Sequence, residues 1–259
     1  MPNKKRVLFV SGEIAPYVRI TEVATLARQL PEKMSEAGLC EPRIMMPRYG
    51  KISERKNRLH EVIRLSGTPI QIGKETETLK VKVASIPGIR LQVYFMDNNR
   101  FFKKKVIYTD ANGKPLTDNI TRALFFGKAV LETLKKLGWA PDVVHAFTWM
   151  SGFIPYLLRT EYAQEPIFDQ TKIVFTPDNT DVPVALTEED LQKLALTAQD
   201  RLFNKHLNEV GHLFADITAS LPEATITSED ILLNPENEEL VEQLDTLYNQ
   251  LLYKSRLVA

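Results

Sequence analysis

Apolar and polar positions change period along this chain, and the changes mark its elements. Val7, Leu8, Phe9 and Val10 form an unbroken apolar run. That is the pattern of a strand covered on both faces of a parallel sheet. The run ends at Ser11-Gly12, and Pro16 keeps the residue before it out of helix. From Glu22 the period becomes helical. Val23, Leu26, Ala27, Leu30 and Met34 share one stripe, with Arg28, Glu32, Lys33 and Glu36 off it. Gly38 stands where a helix C-cap belongs. Arg43 to Met46 begins a second buried strand, which Pro47 ends. Together these predict a right-handed βαβ unit. In such sheets ligands sit beyond the carboxyl ends of the strands, which places Ser11 to Thr21 and Pro47 to Lys51 at the mouth of any site.

Residues 52–60 are polar and predict a loop or short helix. Three stretches then alternate with period two. They are Glu61 to Ile72, interrupted at Gly67-Thr68-Pro69; Leu79, Val81 and Val83; and Ile89, Leu91, Val93 and Phe95. One buried and one wet face predicts antiparallel hairpins at a sheet edge. Asn112-Gly113 and Lys114-Pro115 are turn dipeptides. Asp118 or Asn119 is placed to N-cap a long helix reaching about Leu137, with Ile120, Leu124, Ala129, Val130 and Leu134 on its apolar side and Gly138 as its stop. Val143-Val144-His145 predicts a buried strand, Ser151 to Tyr162 a helix, and Ile173 to Thr176 another buried strand. Helices over Glu188 to Leu196 and Arg201 to His212 precede a last strand, Leu213 to Pro222.

The tail has a different character. Glu223 to Asp245 carries eight acidic residues and no basic ones. Asn234-Pro235-Glu236 is a good helix start. Leu240, Val241, Leu244, Leu247, Tyr248, Leu251 and Leu252 then follow helical spacing, and such a stripe must be buried. It packs on its own domain or on a partner. The expected fold is α/β: a single domain over 1–222, with a mainly parallel sheet, helices on both faces and antiparallel hairpins at one edge. Residues 223–259 add an acidic linker and a C-terminal amphipathic helix.

The chain has 259 residues and a formal net charge of zero, so it has no general attraction to nucleic acid or to an anionic membrane. No apolar run approaches the ~18 residues that span a bilayer. The N-terminus leads straight into the first strand rather than into a signal-peptide core, so a cytoplasmic protein is expected. Cys40 is the single cysteine, which excludes an internal disulfide. His206 and His212 do not share a helix face as a metal pair would. No metal and no cofactor is expected. Glycine-rich dinucleotide, P-loop and nucleophile-elbow patterns are absent.

Several segments resemble the bacterial glycogen and plant starch synthases. VLFVSGEIAP (7–16) matches their opening V-L-F-V-S-S-E-x-x-P, and MMPRYGK (45–51) matches a later M-P-x-Y. GWAPDVVH (138–145) matches G-W-x-P-D-[IV]-[IV]-H, and Phe175, Thr176 and Asn179 match F-T-x-H-N. Residues 214–222 are similar to a final A-D-x-[IV]-T-x-V-S-P strand. The resemblance covers about residues 5–222. It implies a Rossmann-like domain of the GT-B N-terminal type, from retaining glucosyltransferases that use ADP-glucose and build α-1,4-glucan. It also implies that Glu13, Arg19, Tyr49, His145, Trp149 and Asn179 line the substrate.

The chain departs from the family at the segments that touch substrate. The family's K-T-G-G-L-A-D reads Arg19-Ile20-Thr21-Glu22-Val23-Ala24-Thr25 here. Only glycine freely lets a backbone approach the donor so closely, and Glu22 adds a negative charge where a diphosphate would lie. H-D-W-H reads Phe147-Thr148-Trp149-Met150. The family's final histidine contacts the reacting sugar, whereas Met150 can neither donate nor accept a proton. Asp178 replaces the histidine of F-T-x-H-N; it either orients a sugar hydroxyl or caps the next turn. Arg19, Thr21, Glu22, Met150 and Asp178 are thus the altered catalytic positions. Arg100 to Lys105 (RFFKKK) reads as a glucan or phosphate contact or as a solvated loop edge.

Three functions fit. The chain binds a sugar nucleotide or α-glucan and acts with a separate C-terminal half or a second copy. Otherwise it is a non-catalytic regulatory or scaffold protein derived from the same fold. In the third reading the altered positions Glu22, Thr148 and Asp178 serve another small ligand.

Overall fold

A computed structural model describes residues 4–89, 91–177, 221–226 and 238–256. Asp178, Asn179, the helices expected over 188–196 and 201–212, and the Asn234-Pro235-Glu236 start lie outside these residues, as does all but the end of the strand expected over 213–222.

The first crossover forms as its sequence predicts. β1 (Lys5–Ser11) leads through α1 (Val23–Glu36) to β2 (Cys40–Pro47), and β1 and β2 pair in parallel. Gly38, at φ +71°, closes α1: its N–H donates to Ser35 O and that of Leu39 to Met34 O. The edge elements are α2 (Glu54–Asn57), β3 (His60–Glu61), β4 (Thr68–Ile72), β5 (Glu75–Ser85) and β6 (Gln92–Asp97). β5 pairs antiparallel with β3, β4 and β6, and β6 returns to parallel pairing beside β2. The strand expected from Ile89 starts only at Gln92, because the Ile89 N–H donates to Ile86 O and the Ile86 N–H to Leu91 O in the connection between β5 and β6.

Next come α3 (Asn119–Leu137), β7 (Val143–Phe147), α4 (Phe153–Arg159), β8 (Lys172–Thr176), β9 (Ala224–Thr225) and the tail helix α5 (Glu238–Arg256). Among the described residues the sheet runs β3-β5-β6-β2-β1-β7-β8-β9, with β4 on β5. The order reverses direction at β1. The chain moves outward from β1 to β2 through α1, and back across the sheet from β6 to β7 through α3. Right-handed crossovers in opposite directions put their helices on opposite faces. Accordingly α1 packs with α5, and α3 packs with α4.

Two sequence expectations change at the helix ends. Asp118 occupies the N-cap position of α3 without a capping side-chain bond. Its neighbour Asn119 points elsewhere, donating from Nδ2 to Tyr108 O at 2.9 Å and accepting from Arg122. Arg122 is fully buried and donates to Phe101 O and Ile107 O. The start of α3 is therefore committed to holding the 100–108 loop. The helix expected over 151–162 is shorter, since Trp149–Ser151 is a 3-10 turn and Thr160 turns back to donate from Oγ1 to Tyr156 O. The aromatic residues of RFFKKK are core: Phe101 and Phe102 are buried, while Arg100 pairs with Glu75 and Glu77 outside.

The tail helix docks on the α1 face. Leu240, Val241, Leu244 and Tyr248 are buried, and Lys5 reaches Asp245 and Asn249. Tyr248 Oη lies 2.5 Å from His145 Nδ1, and Thr176 Oγ1 lies 2.8 Å from Nε2. Burial lowers the imidazole pKa from 6.5 to about 3, because the low-dielectric interior disfavours the cation. Among the described residues, no helix is long and apolar enough to cross a membrane.

Two measurements check this packing. A Cβ on Gly50 would stand 2.0 Å from Lys103 O and 2.7 Å from Lys104 O, where the 48–52 turn presses on the 103–104 backbone. Gly50→Ala is expected to lower stability in urea by about 1–3 kcal/mol, as overpacking does. His145 titrates at about 6.5 when unfolded and far lower when folded, so the unfolded chain binds the extra proton and stability falls with falling pH. Between pH 6.5 and the carboxylate range near 4.5 the loss is expected to reach about 2 kcal/mol. His145→Gln should flatten that slope in a pH series of denaturant melts, whatever it does to the stability itself.

Candidate functional site

The reversal of strand order puts a crevice between the carboxyl ends of β1 and β7, where Ser11 pairs with Phe147. Such switch points are where open α/β sheets bind ligands. Past Ser11, the Gly12 N–H donates to Thr148 Oγ1 at 3.2 Å, and Gly12 O accepts from the Tyr49 hydroxyl at 2.9 Å. Residues from three strand ends thus converge on Gly12.

The crevice is tightly filled here. A Cβ on Gly12 would lie 2.5 Å from Met150 Cβ, 2.6 Å from Tyr108 Oη and 2.9 Å from Thr148 Oγ1. The resembling families carry a second serine where this chain has Gly12. A serine has no room there beside Met150. Trp149 is buried edge-on against Tyr108, with ring centroids 4.8 Å apart. Tyr49 is buried edge-on against Tyr108 and Phe102, and burial pushes its hydroxyl above its ordinary pKa.

Thr148 itself is strained. Its φ is +63° with ψ +159°, a region that a β-branched residue occupies only under constraint, at a cost of about 1–3 kcal/mol. Its surroundings fix it. Its N–H donates to Thr176 O at 3.0 Å, its Oγ1 accepts from Gly12, and its carbonyl accepts from Ser151 Oγ at 3.1 Å.

The 13–22 loop lies over the end of β1, and a buried carboxylate organises it. Glu13 accepts from the N–H of Ile20, from the N–H of Thr21 at 3.0 Å and from Thr21 Oγ1 at 2.7 Å. Three donors on one carboxylate compensate its burial. Outside that ring, Arg19 and Glu22 form a two-pronged pair at 2.8 and 2.9 Å, both exposed. Glu22 therefore occupies the cation of its own loop. At the end of β2, Arg48 pairs with Glu54, and Lys82 bridges Glu54 at 2.6 Å and Asp97 at 2.9 Å.

The structure gathers Glu13, Arg19, Thr21 and Glu22 on one loop, and Tyr49, Trp149 and Met150 around Gly12. His145 lies apart from both groups. It is fully buried, stacks on Phe147 at 4.0 Å, and has both ring nitrogens engaged by Tyr248 and Thr176. Sequence reasoning did not single out Tyr108 or Arg122, and it placed Tyr248 only in the buried stripe of the tail helix. The spacing of Asn119 and Arg122, which share a helix face, is the one local signal for the clamp on the 100–108 loop.

Comparisons with known proteins bear on this geometry. Residues 6–225 match the family model described as the starch synthase catalytic domain. The glycogen synthase of Chlorobium limicola is 44% identical over 175 residues, 67% of this chain and 36% of that protein. That of Pelodictyon phaeoclathratiforme is 38% identical over 213 residues, 82% of this chain and 43% of that protein. The catalytic domain of starch synthase IV from Arabidopsis thaliana, solved bound to ADP and acarbose, shares the fold with a TM-score of 0.62 at 21% identity, covering 75% of this chain and 38% of that one. This chain thus spans less than half the length of the curated relatives it matches. Through the match over 6–225 and the identity to the glycogen synthases, the chain belongs to the starch synthase catalytic domain family.

Proposed function

We propose that the described residues form one wall of a glycogen or starch synthase-type cleft, which binds α-glucan or ADP-glucose weakly and does not transfer glucose by itself. The observation that carries this reading is the Arg19–Glu22 pair at the mouth. Retaining glucosyl transfer needs a cation or helix N-terminus to stabilise the leaving diphosphate. It also needs a closed, dry cleft and groups that hold the acceptor hydroxyl in line. Glu22 neutralises the loop's own cation, and Met150 supplies no proton donor or acceptor at the crevice. What this wall offers is the Glu13-ordered loop and the Arg48–Lys82 cluster, while Tyr49 and Trp149 pack beneath the surface. A second wall, which these residues do not themselves supply, completes the site in this reading.

One feature favours the regulatory or scaffold alternative. The space around Gly12 is filled by Met150, Tyr108 and Thr148, and a filled crevice is a stable surface rather than a binding slot. Ligand binding separates the two.

Calorimetric titration of the chain with maltooligosaccharides and with ADP-glucose, beside a glycogen-primed transfer assay, is expected to give heat without transfer. Heat from neither ligand leaves the scaffold reading, and transfer by this chain alone overturns the one-wall claim. Glu22→Gln frees Arg19 and removes the competing charge. It is expected to tighten ADP-glucose binding by about threefold, the scale of an exposed ion pair, and to leave maltooligosaccharide binding unchanged. Equal affinity in the variant would place the diphosphate away from Arg19.

A further inference from the structure

The mouth is tied to the tail helix by a series of hydrogen-bonded residues, linked in part through the backbones of Thr176, Thr148 and Gly12. Tyr248 Oη meets His145 Nδ1 at 2.5 Å, and His145 Nε2 meets Thr176 Oγ1 at 2.8 Å. The Thr148 N–H donates to Thr176 O at 3.0 Å, the Gly12 N–H to Thr148 Oγ1 at 3.2 Å, and the Tyr49 hydroxyl to Gly12 O at 2.9 Å. The run starts on α5, crosses β7 and β8, and ends on the loops after β1 and β2.

We propose that Tyr248 is a positioning residue for the mouth: its hydroxyl fixes His145 and Thr176, and through them keeps Thr148 in its left-handed conformation with Gly12 against it. The inference goes beyond the transferase reading and stands whatever ligand the mouth takes.

Three features make the run a constraint rather than a coincidence of contacts. First, a neutral imidazole has one donor and one acceptor nitrogen. The Tyr248 and Thr176 hydroxyls therefore take opposite roles, and changing one resets the other. Second, the ring has nowhere to turn. It is fully buried, with Phe147 stacked 4.0 Å away and Phe9 beside it. A lost partner leaves a buried polar atom unsatisfied, which the surroundings relieve by moving. Third, Thr148 occupies φ +63° only because its neighbours impose it, and such strain relaxes when one restraint goes. Thr176 supplies that restraint through its carbonyl, and its own side chain is held by His145.

Tyr248→Phe removes the hydroxyl and retains the ring. The apolar stripe of Leu240, Val241 and Leu244 and the polar contacts of Lys5 with Asp245 and Asn249 still dock the helix. In the whole isotope-labelled chain, the imidazole 15N shifts of His145 are expected to move. The amides of Gly12 and Thr148 are expected to exchange about fivefold faster, the scale of one hydrogen bond. Lys5→Met loosens the tail at another point and is the control. It is expected to lower the melting temperature and leave all three signals in place, which a merely structural tail would not allow. Thr176→Val cuts the run on the sheet side of His145, so it should accelerate Gly12 and Thr148 while the α5 amides stay protected. Unchanged Gly12 and Thr148 exchange in Tyr248→Phe with α5 still protected overturns the proposal. If that variant releases the helix, Thr176→Val decides alone, and unchanged exchange in it overturns the proposal equally.

Discussion

At the carboxyl edge of the sheet, the Gly12 N–H leaves the ladder between β1 and β7 and must find another acceptor. Thr148 Oγ1 takes it. A buried amide without a partner is rare and costly, so this contact sets much of what surrounds it. Thr148 presents its hydroxyl toward β1, from a backbone held at positive φ. Position 12 must lack a side chain, because Met150, Tyr108 and Thr148 fill the space a Cβ needs. Tyr49 must lie close enough to donate to the Gly12 carbonyl. The switch point that would hold a ligand in an open sheet is thereby also a tightly packed corner of this one.

Much of this architecture was legible where a local pattern has a single physical solution. The Val7–Val10 run, the 3–4 stripe of α1 and the Gly38 stop left no alternative to a βαβ unit. The period-two stretches from Glu61 to Phe95 placed the antiparallel edge. Their boundaries slipped where turns intervened, because the connection between β5 and β6 carries apolar residues that alternate like a strand. Asp118 stands at the N-cap position, as expected, but makes no capping side-chain bond. It has the identity of a cap, but the first turn of α3 is committed to the 100–108 loop through Asn119 and Arg122. The motif comparison found the right segments, yet it could not tell which way a side chain faces. His145 sits in a matched segment and is a core residue bonded to the tail, more than 100 positions later in the chain. No local pattern contains a contact of that separation.

Glu13 and Glu22 sit at opposite ends of one loop and show how burial decides a carboxylate's role. Glu13 is enclosed and accepts from donors of its own loop, so its charge shapes the backbone and is spent inside the protein. Glu22 is exposed and meets Arg19, so its charge is spent at the surface where an anionic ligand would seek that same guanidinium. The first arrangement orders the mouth, and the second quiets it. An Arg19 already paired with Glu22 is a cation withdrawn from the surface. The contrast with K-T-G-G is then one of charge as well as of shape. Thr21 adds its hydroxyl to the two backbone donors on Glu13, and Glu22 pairs the loop's cation within the loop.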